Sequence, residues 1–462
     1  LEEPFVSGDR WITVRLPAGR SEIVSPGGIS LPLSPVEDLT ETVRAALNAP
    51  LDTPPLREVA RPGWRVTLAF DDPTVPCFAP VWETAIPVVL EELEHAGVER
   101  GRVTLVCANA LHRKFSPKEL AGILGEPLVK EFGDRLVCHD AEDPDNLVYL
   151  GKTPRGYDVE LNRCVTDSDL TIYLNTSCTR GFSGGWKSVC VGLSTWRSIR
   201  AHHTPDLTSM SLERNPLHEI LDEMGTLVEG KIGRERIFKI ETILANPLQV
   251  AALWAGSVSA TRAEALNLLK AHHVARRDLV KEKTDVVFYG VPNWSPYASY
   301  SFMNPILTLI STGLGYLGGV IEAIGKPGCS VILATPCPER WDDVHHPSYR
   351  EIWNRVLSDT RDPYQVMERY EEEFLSRSDY IDKYRHAYGF HPIHGLLATH
   401  PLKRLRHAGR VFVAGAENPD LVAHVGFEPT RTVEEAIARA EEAHGPQATI
   451  ACVKYPMAGN RQ

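Results

Sequence analysis

Residues 170–188 read LTIYLNTSCTRGFSGGWKS. The first five, Leu170–Leu174, are apolar and rich in β-formers, and they run into a glycine-rich loop ending on Trp186-Lys187-Ser188. A strand that empties into such a loop is the ligand-binding end of an open α/β sheet, because glycine allows positive φ and close approach of backbone to a phosphate or flat ring. Outward from it the same alternation recurs. Trp64–Phe70 (WRVTLAF) is a strand ended by Asp71-Asp72-Pro73, and helical periodicity follows over Trp82–Ala96. Val103–Cys107 is a second strand, ending in ANALHR (108–113), after which Ser116-Pro117-Lys118-Glu119 opens a helix with Ser at the N-cap and Pro in the first turn. Arg135–Cys138 is a further short strand. The spacing predicts an α/β fold with mostly parallel, Rossmann-like sheets.

A charged helical stretch ends near Lys281-Glu282-Lys283, and a new strand, Asp285–Tyr289, begins at once. This predicts two α/β domains, residues 1–280 and 284–462. In the second, Ser330–Ala334, Arg410–Val413 and Ala448–Val453 read as strands and Thr432–His444 as an amphipathic helix, a candidate to pack back on the first domain. Residues 342–385 are polar and aromatic (Tyr349, Trp353, Tyr364, Tyr370) and read as an inserted helical lid.

Composition sets the outer limits. The chain has 462 residues, 43% hydrophobic and 24% charged, the profile of an ordinary globular protein. Its 49 basic and 60 acidic residues give a net charge of −11, which argues against nucleic acid or an anionic membrane as the main partner. No apolar run of about 18 residues is uninterrupted, and Leu1-Glu2-Glu3-Pro4 has neither the basic start nor the apolar run of a signal peptide. The 9 cysteines are scattered without a C-x-x-C pair, so reduced thiols and a cytoplasmic location are expected.

Three strand-end loops carry the chemistry. In GFSGGWKS (181–188) a phosphate-binding P-loop would need Gly directly before Lys-Ser, and Trp186 stands there. What remains is Lys187 on a glycine-lined turn, suited to ion pairing or covalent attachment, or else a tight turn with a solvated lysine. His112 in ANALHR is either a turn residue or a base. Asp72-Pro73-Thr74 is by itself an ordinary turn.

The run from Asp145 to Gly192, together with ANALHR and Asp72-Pro73-Thr74-Val75-Pro76, resembles the lactate racemase family. The resemblance implies an active site in the interdomain cleft. It also implies a nickel-pincer nucleotide (pyridinium-3,5-bisthiocarboxylic acid mononucleotide) bound covalently to Lys187 and lined by Gly184 and Gly185. The remaining nickel ligand would be His203, 203 − 187 = 16 positions on, in preference to His202. His112 would be a catalytic base, and Asp72 and Thr74 would lie against the cofactor's ribose or phosphate. In the second domain the family's Tyr-Gln…Lys stretch, which reaches the cofactor phosphate and substrate, corresponds to Pro292–Pro305, which has no lysine or glutamine; there Tyr297, Ser299, Tyr300 and Asn304 could donate hydrogen bonds to the cofactor instead. Maturation enzymes that make the nucleotide, and a small hydroxy acid substrate, would be the partners, with no nucleic acid and no membrane.

Departures from the family pattern qualify the activity. Val75 stands where the family has its substrate-gripping arginine, and Ser177 where it has a second catalytic histidine, 187 − 177 = 10 positions before the lysine. Arg180, Arg113, Lys114 and Arg197 are candidates to replace the clamp. His202, Cys178 or a second-domain residue could replace the base. The expected function is racemisation or epimerisation of a 2-hydroxy acid other than lactate, by reversible hydride transfer from C2. The alternative is a nucleotide carrier or sensor without racemase activity. A blander reading is a doubly wound hydrolase or dehydrogenase.

Overall fold

Strands and helices alternate through both halves of the chain, and among the described residues the strands form two six-stranded and two two-stranded sheets. The structure, a computed structural model, describes residues 1–25, 33–177, 184–207, 212 and 215–461. The chain opens with β1 (Glu2–Ser7), β2 (Arg10–Arg15) and β3 (Ser21–Val24). The next strands are β4 (Val66–Asp71), β5 (Val103–Ala108), β6 (Leu136–Cys138), the hairpin β7 (Leu147–Lys152) and β8 (Asp158–Asn162), β9 (Leu170–Ser177), β10 (Ile237–Asn246) and β11 (Gln249–Gly256). The last are β12 (Thr284–Gly290), β13 (Gly325–Ala334), β14 (Arg410–Ala414), β15 (Glu428–Thr430) and β16 (Ile450–Val453).

Two compact units result. One comprises Pro32–His273 with Tyr384–Tyr388, the other Leu1–Leu31, Val274–Lys383 and Gly389–Gln462. The sheet of the first runs β11-β10-β9-β4-β5-β6, parallel except for the β10–β11 hairpin at one edge. All eight residues of β9 are buried and five of six in β4, as expected of central strands covered on both faces. The helix after β5, Pro117–Leu124, starts as its sequence predicts. Ser116 accepts from Glu119 N, and the Glu119 carboxylate returns a bond to Ser116 N.

The sheet of the second unit runs β15-β14-β13-β12-β16-β3 and is parallel throughout. Here the structure departs from the expected partition. The first 31 residues, assigned to domain 1–280 by their place in the chain, group instead with the C-terminal half, where β3 pairs beside β16. Phe5, Val14 and Leu16 are buried in one cluster with Val286, Phe288, Ile332 and Phe412. The last helix, Val433–His444, belongs to this unit too: Val433, Ala436, Ile437 and Ala440 join that same cluster rather than the first domain. The segment 342–385 is helical as expected, over Tyr349–Asp359, Pro363–Leu375 and into Ser378–His386.

Among the described residues one helix, Ile306–Ile324, is long and apolar enough to cross a membrane, but Ile306, Leu307, Leu309, Ile310 and Leu314 are fully buried in the unit, as in a core helix. It contains Gly313-Leu314-Gly315-Tyr316-Leu317-Gly318, the spacing of a dinucleotide fingerprint. The pattern binds a pyrophosphate only between a strand and a helix start. Here it lies inside a buried helix, where Gly313 packs against the Thr308 carbonyl (2.9 Å from an added Cβ).

Candidate active site

The first group of functional side chains lies at the C-terminal ends of β4 and β5, the edge where open α/β sheets bind ligands. These strands are paired up to Asp71↔Ala108, so the loops that follow them are neighbours. Buried Asn109 closes the second loop by donating from Nδ2 to the carbonyls of His112 and His139, both at 3.1 Å, while His112 N donates to Asn109 O at 2.7 Å. Ala110 takes a left-handed φ of 49° to make the turn. The result places His112 Nδ1 at 2.8 Å from Asp72 Oδ2 and 3.2 Å from Thr74 Oγ1. Thr74 in turn donates its N–H (3.0 Å) and hydroxyl (2.5 Å) to Asp72 Oδ1. A carboxylate facing Nδ1 puts the proton there and makes Nε2 the basic nitrogen. Asp72 and Thr74, expected against a ribose or phosphate, are thus engaged with His112.

The second group is the lysine turn. Gly184 (φ 88°) and Gly185 (φ 55°) are consecutive left-handed residues. Gly185 N donates to Glu241 Oε2 at 3.0 Å, and a Cβ on Gly184 would lie only 2.2 Å from Glu241 Oε1. Trp186 lies flat on Gly225, where an added Cβ would stand 2.1 Å from the indole. Lys187 N donates to Gly184 O (3.2 Å) and begins a short helix to Cys190. Ala110 N donates to Gly192 O at 3.0 Å, which ties this segment to the His112 loop.

His202 and His203 follow a second short helix, both donating N–H to the Ile199 carbonyl. Their Nδ1 atoms are 2.8 Å apart, so one proton lies between them and one ring presents a basic Nε2. His202 is buried, and its Nε2 has no hydrogen-bond partner among the described residues. Burial first, and then the Lys187 cation, push the His202 imidazole down to about 3, which places His202 within electrostatic reach of Lys187.

The other expected residues fall elsewhere. Ser177, at the buried end of β9, accepts from Asn175 Nδ2 at 3.3 Å. Arg180 and Cys178 lie outside the described residues. Three clamp candidates are committed to protein partners. Arg113 is buried and paired with Glu119 (2.6 Å), Lys114 with Asp140 (2.7 Å) and the Arg385 carbonyl, and Arg197 with Asp158 and Glu160 while stacked on Tyr149. Tyr300 and Asn304 belong to the other unit. Tyr300 has a left-handed φ of 56° and donates its N–H to Arg461 O; Asn304 Oδ1 caps the following helix at Leu307 N (3.0 Å). Its Nδ2 has no partner among the described residues.

Sequence reading missed a set of ionised groups beneath the lysine turn. Lys239 and Glu241 of β10 are wholly buried, with Nζ and Oε2 3.4 Å apart, and Arg262 Nη1 reaches Glu241 Oε1 at 3.1 Å. Burial opposes ionisation of Glu241, but the Lys239 and Arg262 cations hold its carboxyl below the usual range. Asp71 accepts from Tyr173 OH (3.0 Å) and Thr176 N (2.7 Å), and burial raises it to about 7 against those bonds and Lys239. The signal was present: Lys239 and Glu241 alternate with Phe238, Ile240 and Thr242 in a buried strand, which puts both charges on one face.

These residues fit a flat anionic ligand tethered to Lys187. His202 Nε2 and Ser188 Oγ are buried polar atoms with no partner among the described residues, and the backbone of the two left-handed glycines sits directly against Glu241 and Arg262. Among the described residues no group of three or more His, Cys, Asp or Glu could hold a metal ion.

Residues 8–213 match the family model described as the lactate racemase N-terminal domain. Over 420 residues the chain is 24% identical to a lactate racemase of Lactiplantibacillus plantarum, covering 89% of this chain and 88% of the relative. A lactate racemase of Thermoanaerobacterium thermosaccharolyticum is 27% identical over 187 residues, 38% of this chain and 42% of the relative. Among solved structures, the lactate racemase apoprotein from Thermoanaerobacterium thermosaccharolyticum superposes with a TM-score of 0.68 at 19% identity over 98% of each chain. That likeness carries the α/β fold.

Proposed function

On the match of residues 8–213 to the lactate racemase N-terminal domain and the alignment of most of the chain with a lactate racemase, we propose that the chain belongs to the lactate racemase family and is a racemase or epimerase of a 2-hydroxy acid other than lactate. The observation that carries the reading is the contact of His112 Nδ1 with Asp72 Oδ2 at 2.8 Å, on the strand-end edge shared with the lysine turn. A carrier of a cofactor needs no oriented base; a racemase does.

Lys187 would hold the nickel-pincer nucleotide, Gly184 and Gly185 would lie along it, and one imidazole of the His202–His203 pair would complete the nickel. When bound, that group supplies the acceptor for hydride from C2. The chain supplies positioning and proton handling. His112 Nε2 takes the hydroxyl proton as the carbonyl forms, and Asp72 stabilises the resulting imidazolium through Nδ1–H. His112 Nε2–H would then return a proton to that oxygen as the hydroxyl is re-formed.

The choice of substrate follows from Val75. It replaces the arginine of the family pattern, and Arg113, Lys114 and Arg197 have their own protein partners. Among the described residues the site is therefore poorer in cations for a small carboxylate, Arg180 lying outside them, and this favours a larger hydroxy acid held by hydrogen bonds. Ser177, in place of the second histidine, favours the alternative of a nucleotide-binding carrier.

The test is co-expression with nucleotide-maturing enzymes, then intact mass and nickel analysis. An adduct at Lys187 with nickel, and interconversion of the stereoisomers of one member of a hydroxy acid panel with C2 deuterium retained in water, is the expected outcome. A loaded chain that interconverts none of them is a carrier. A chain with neither metal nor adduct overturns the cofactor assignment.

A further inference from the structure

The two glycines before Trp186 are explained only in part by their positive φ. Beneath Gly184 lies Glu241 Oε1, 2.2 Å from where a Cβ would be, and beneath Gly185 lies Arg262 Cδ, 3.1 Å from its would-be Cβ. The backbone of the turn therefore rests directly on a carboxylate and a guanidinium. Glu241 makes three contacts, and they do different things. Oε2 accepts Gly185 N–H at 3.0 Å; Oε1 accepts from Arg262 Nη1 at 3.1 Å; Lys239 Nζ lies 3.4 Å from Oε2. Arg262 Nη2 continues to His218 Nε2 at 3.3 Å, so the chain of polar contacts runs from β10 through the helix Val258–Ala271 to the helix Pro216–Ile232. The latter helix carries Gly225, on which Trp186 lies.

A wholly buried carboxylate with two cations does not pay for itself as a source of stability, since apolar side chains of the same volume hold a core at least as well. Its worth must lie in what it orients. The first unit contains a contrasting pair, Glu92 with Arg57: Glu92 is equally buried at 1% exposure, but Arg57 is 44% exposed and the pair bonds no loop that carries a functional residue. Glu241 instead bonds the amide two residues before Lys187.

We infer that Glu241, held by Arg262 and Lys239, is the positioning residue for Lys187. It fixes Gly184–Gly185 in the left-handed pair that starts the helix at Lys187, and so sets where the amine stands when the ligand's carbonyl meets it. The inference rests on Lys187 as an anchor, but its test does not need the loaded protein.

In the chain as purified without cofactor, lysines are acetylated briefly with acetic anhydride and the modified fraction is read by peptide mass spectrometry, with exposed Lys118 as the internal reference. Glu241→Gln is expected to raise the Lys187-to-Lys118 ratio about tenfold at temperatures well below unfolding, because the turn loses its charge-assisted hydrogen bond and opens locally. Glu92→Gln is the control: it lowers the melting temperature and leaves the ratio unchanged. Should Glu241→Gln fail to fold, Arg262→Lys, which keeps the charge and loses the fork geometry, is read in the same way. An unchanged ratio in the turn variant, or an equal change in Glu92→Gln, overturns the inference. In co-expressed protein the adduct fraction at Lys187 should fall in parallel. A wild-type chain without adduct would remove the cofactor reading, while the labelling ratio would still decide the role of Glu241.

Discussion

His112 owes its role to a residue 40 positions earlier in the chain. With Asp72 opposite Nδ1 the imidazole is held as one tautomer; with an amide there the opposite tautomer is equally well bonded. Asp72→Asn should therefore lower kcat by about two to four orders of magnitude and leave KM nearly unchanged, as expected for loss of an oriented base. Steady-state rates on whichever hydroxy acid the panel identifies provide the measurement, and a KM effect without a kcat effect would assign Asp72 to binding instead. The His202–His203 pair gives a second prediction at this scale. In the proposed metal site, with one proton between the two Nδ1 atoms, one ring would ligate while the other orients it. His203→Ala should abolish nickel retention in co-expressed protein and His202→Ala should weaken it by about 10- to 100-fold, read by metal analysis after dialysis against a chelator. Equal retention in both variants would remove the pair from the metal site.

At the scale of elements, the strand-end loops were legible from composition because glycine, Asp-Pro and Ser-Pro punctuate local structure whatever the fold around them. Ser116 as a cap with Glu119 is a four-residue property, and it is found as read. The turn at Gly184–Gly185 was legible as a site of close approach, but the partner that approaches, Glu241, lies 56 residues away on another strand. Gly184→Ala should thus be worse than a positive-φ strain of about 1 kcal/mol alone. Its Cβ must displace Glu241 Oε1 from 2.2 Å, so the adduct at Lys187 should be lost while the far unit keeps its melting transition. Calorimetry with intact mass separates the two effects, and normal loading would show that the turn adapts.

For the whole molecule, each unit contains a histidine held neutral by burial: His139, pushed down to about 4, and His400, pushed down to about 3. Their ordinary value is about 6.5, so the unfolded chain takes up protons first as the pH falls. Stability contributed by each is present above about 6.5 and lost on acidification, by about 1.4 kcal/mol per pH unit for each group. Asp71 acts in the opposite sense. Its carboxyl is raised to about 7, so its contribution is present at low pH and lost as pH rises through 7. Urea midpoints at pH 7.5 and 5 should fall for the wild type, fall less for His139→Gln and fall more for Asp71→Asn. A wild-type midpoint that rises on acidification would contradict the assignment of His139 as buried and neutral.

The order of strands, the glycine turn, the strand-end histidine and the helix cap follow from the chain by itself, because each depends on residues within a few positions of one another. Where those pieces go depends on contacts of long sequence separation. Packing puts Asp72 on His112, because parallel pairing of β4 with β5 makes their loops neighbours. It also places the first 31 residues in the C-terminal unit, because β3 finds its partner in β16, more than 400 residues on. Arg113, Lys114 and Arg197 look alike in the sequence as candidates to grip a carboxylate. Their pairing with Glu119, Asp140, Asp158 and Glu160 is visible only in the fold. Charge pairing is blind to sequence distance, and that is why the tertiary structure had to settle it.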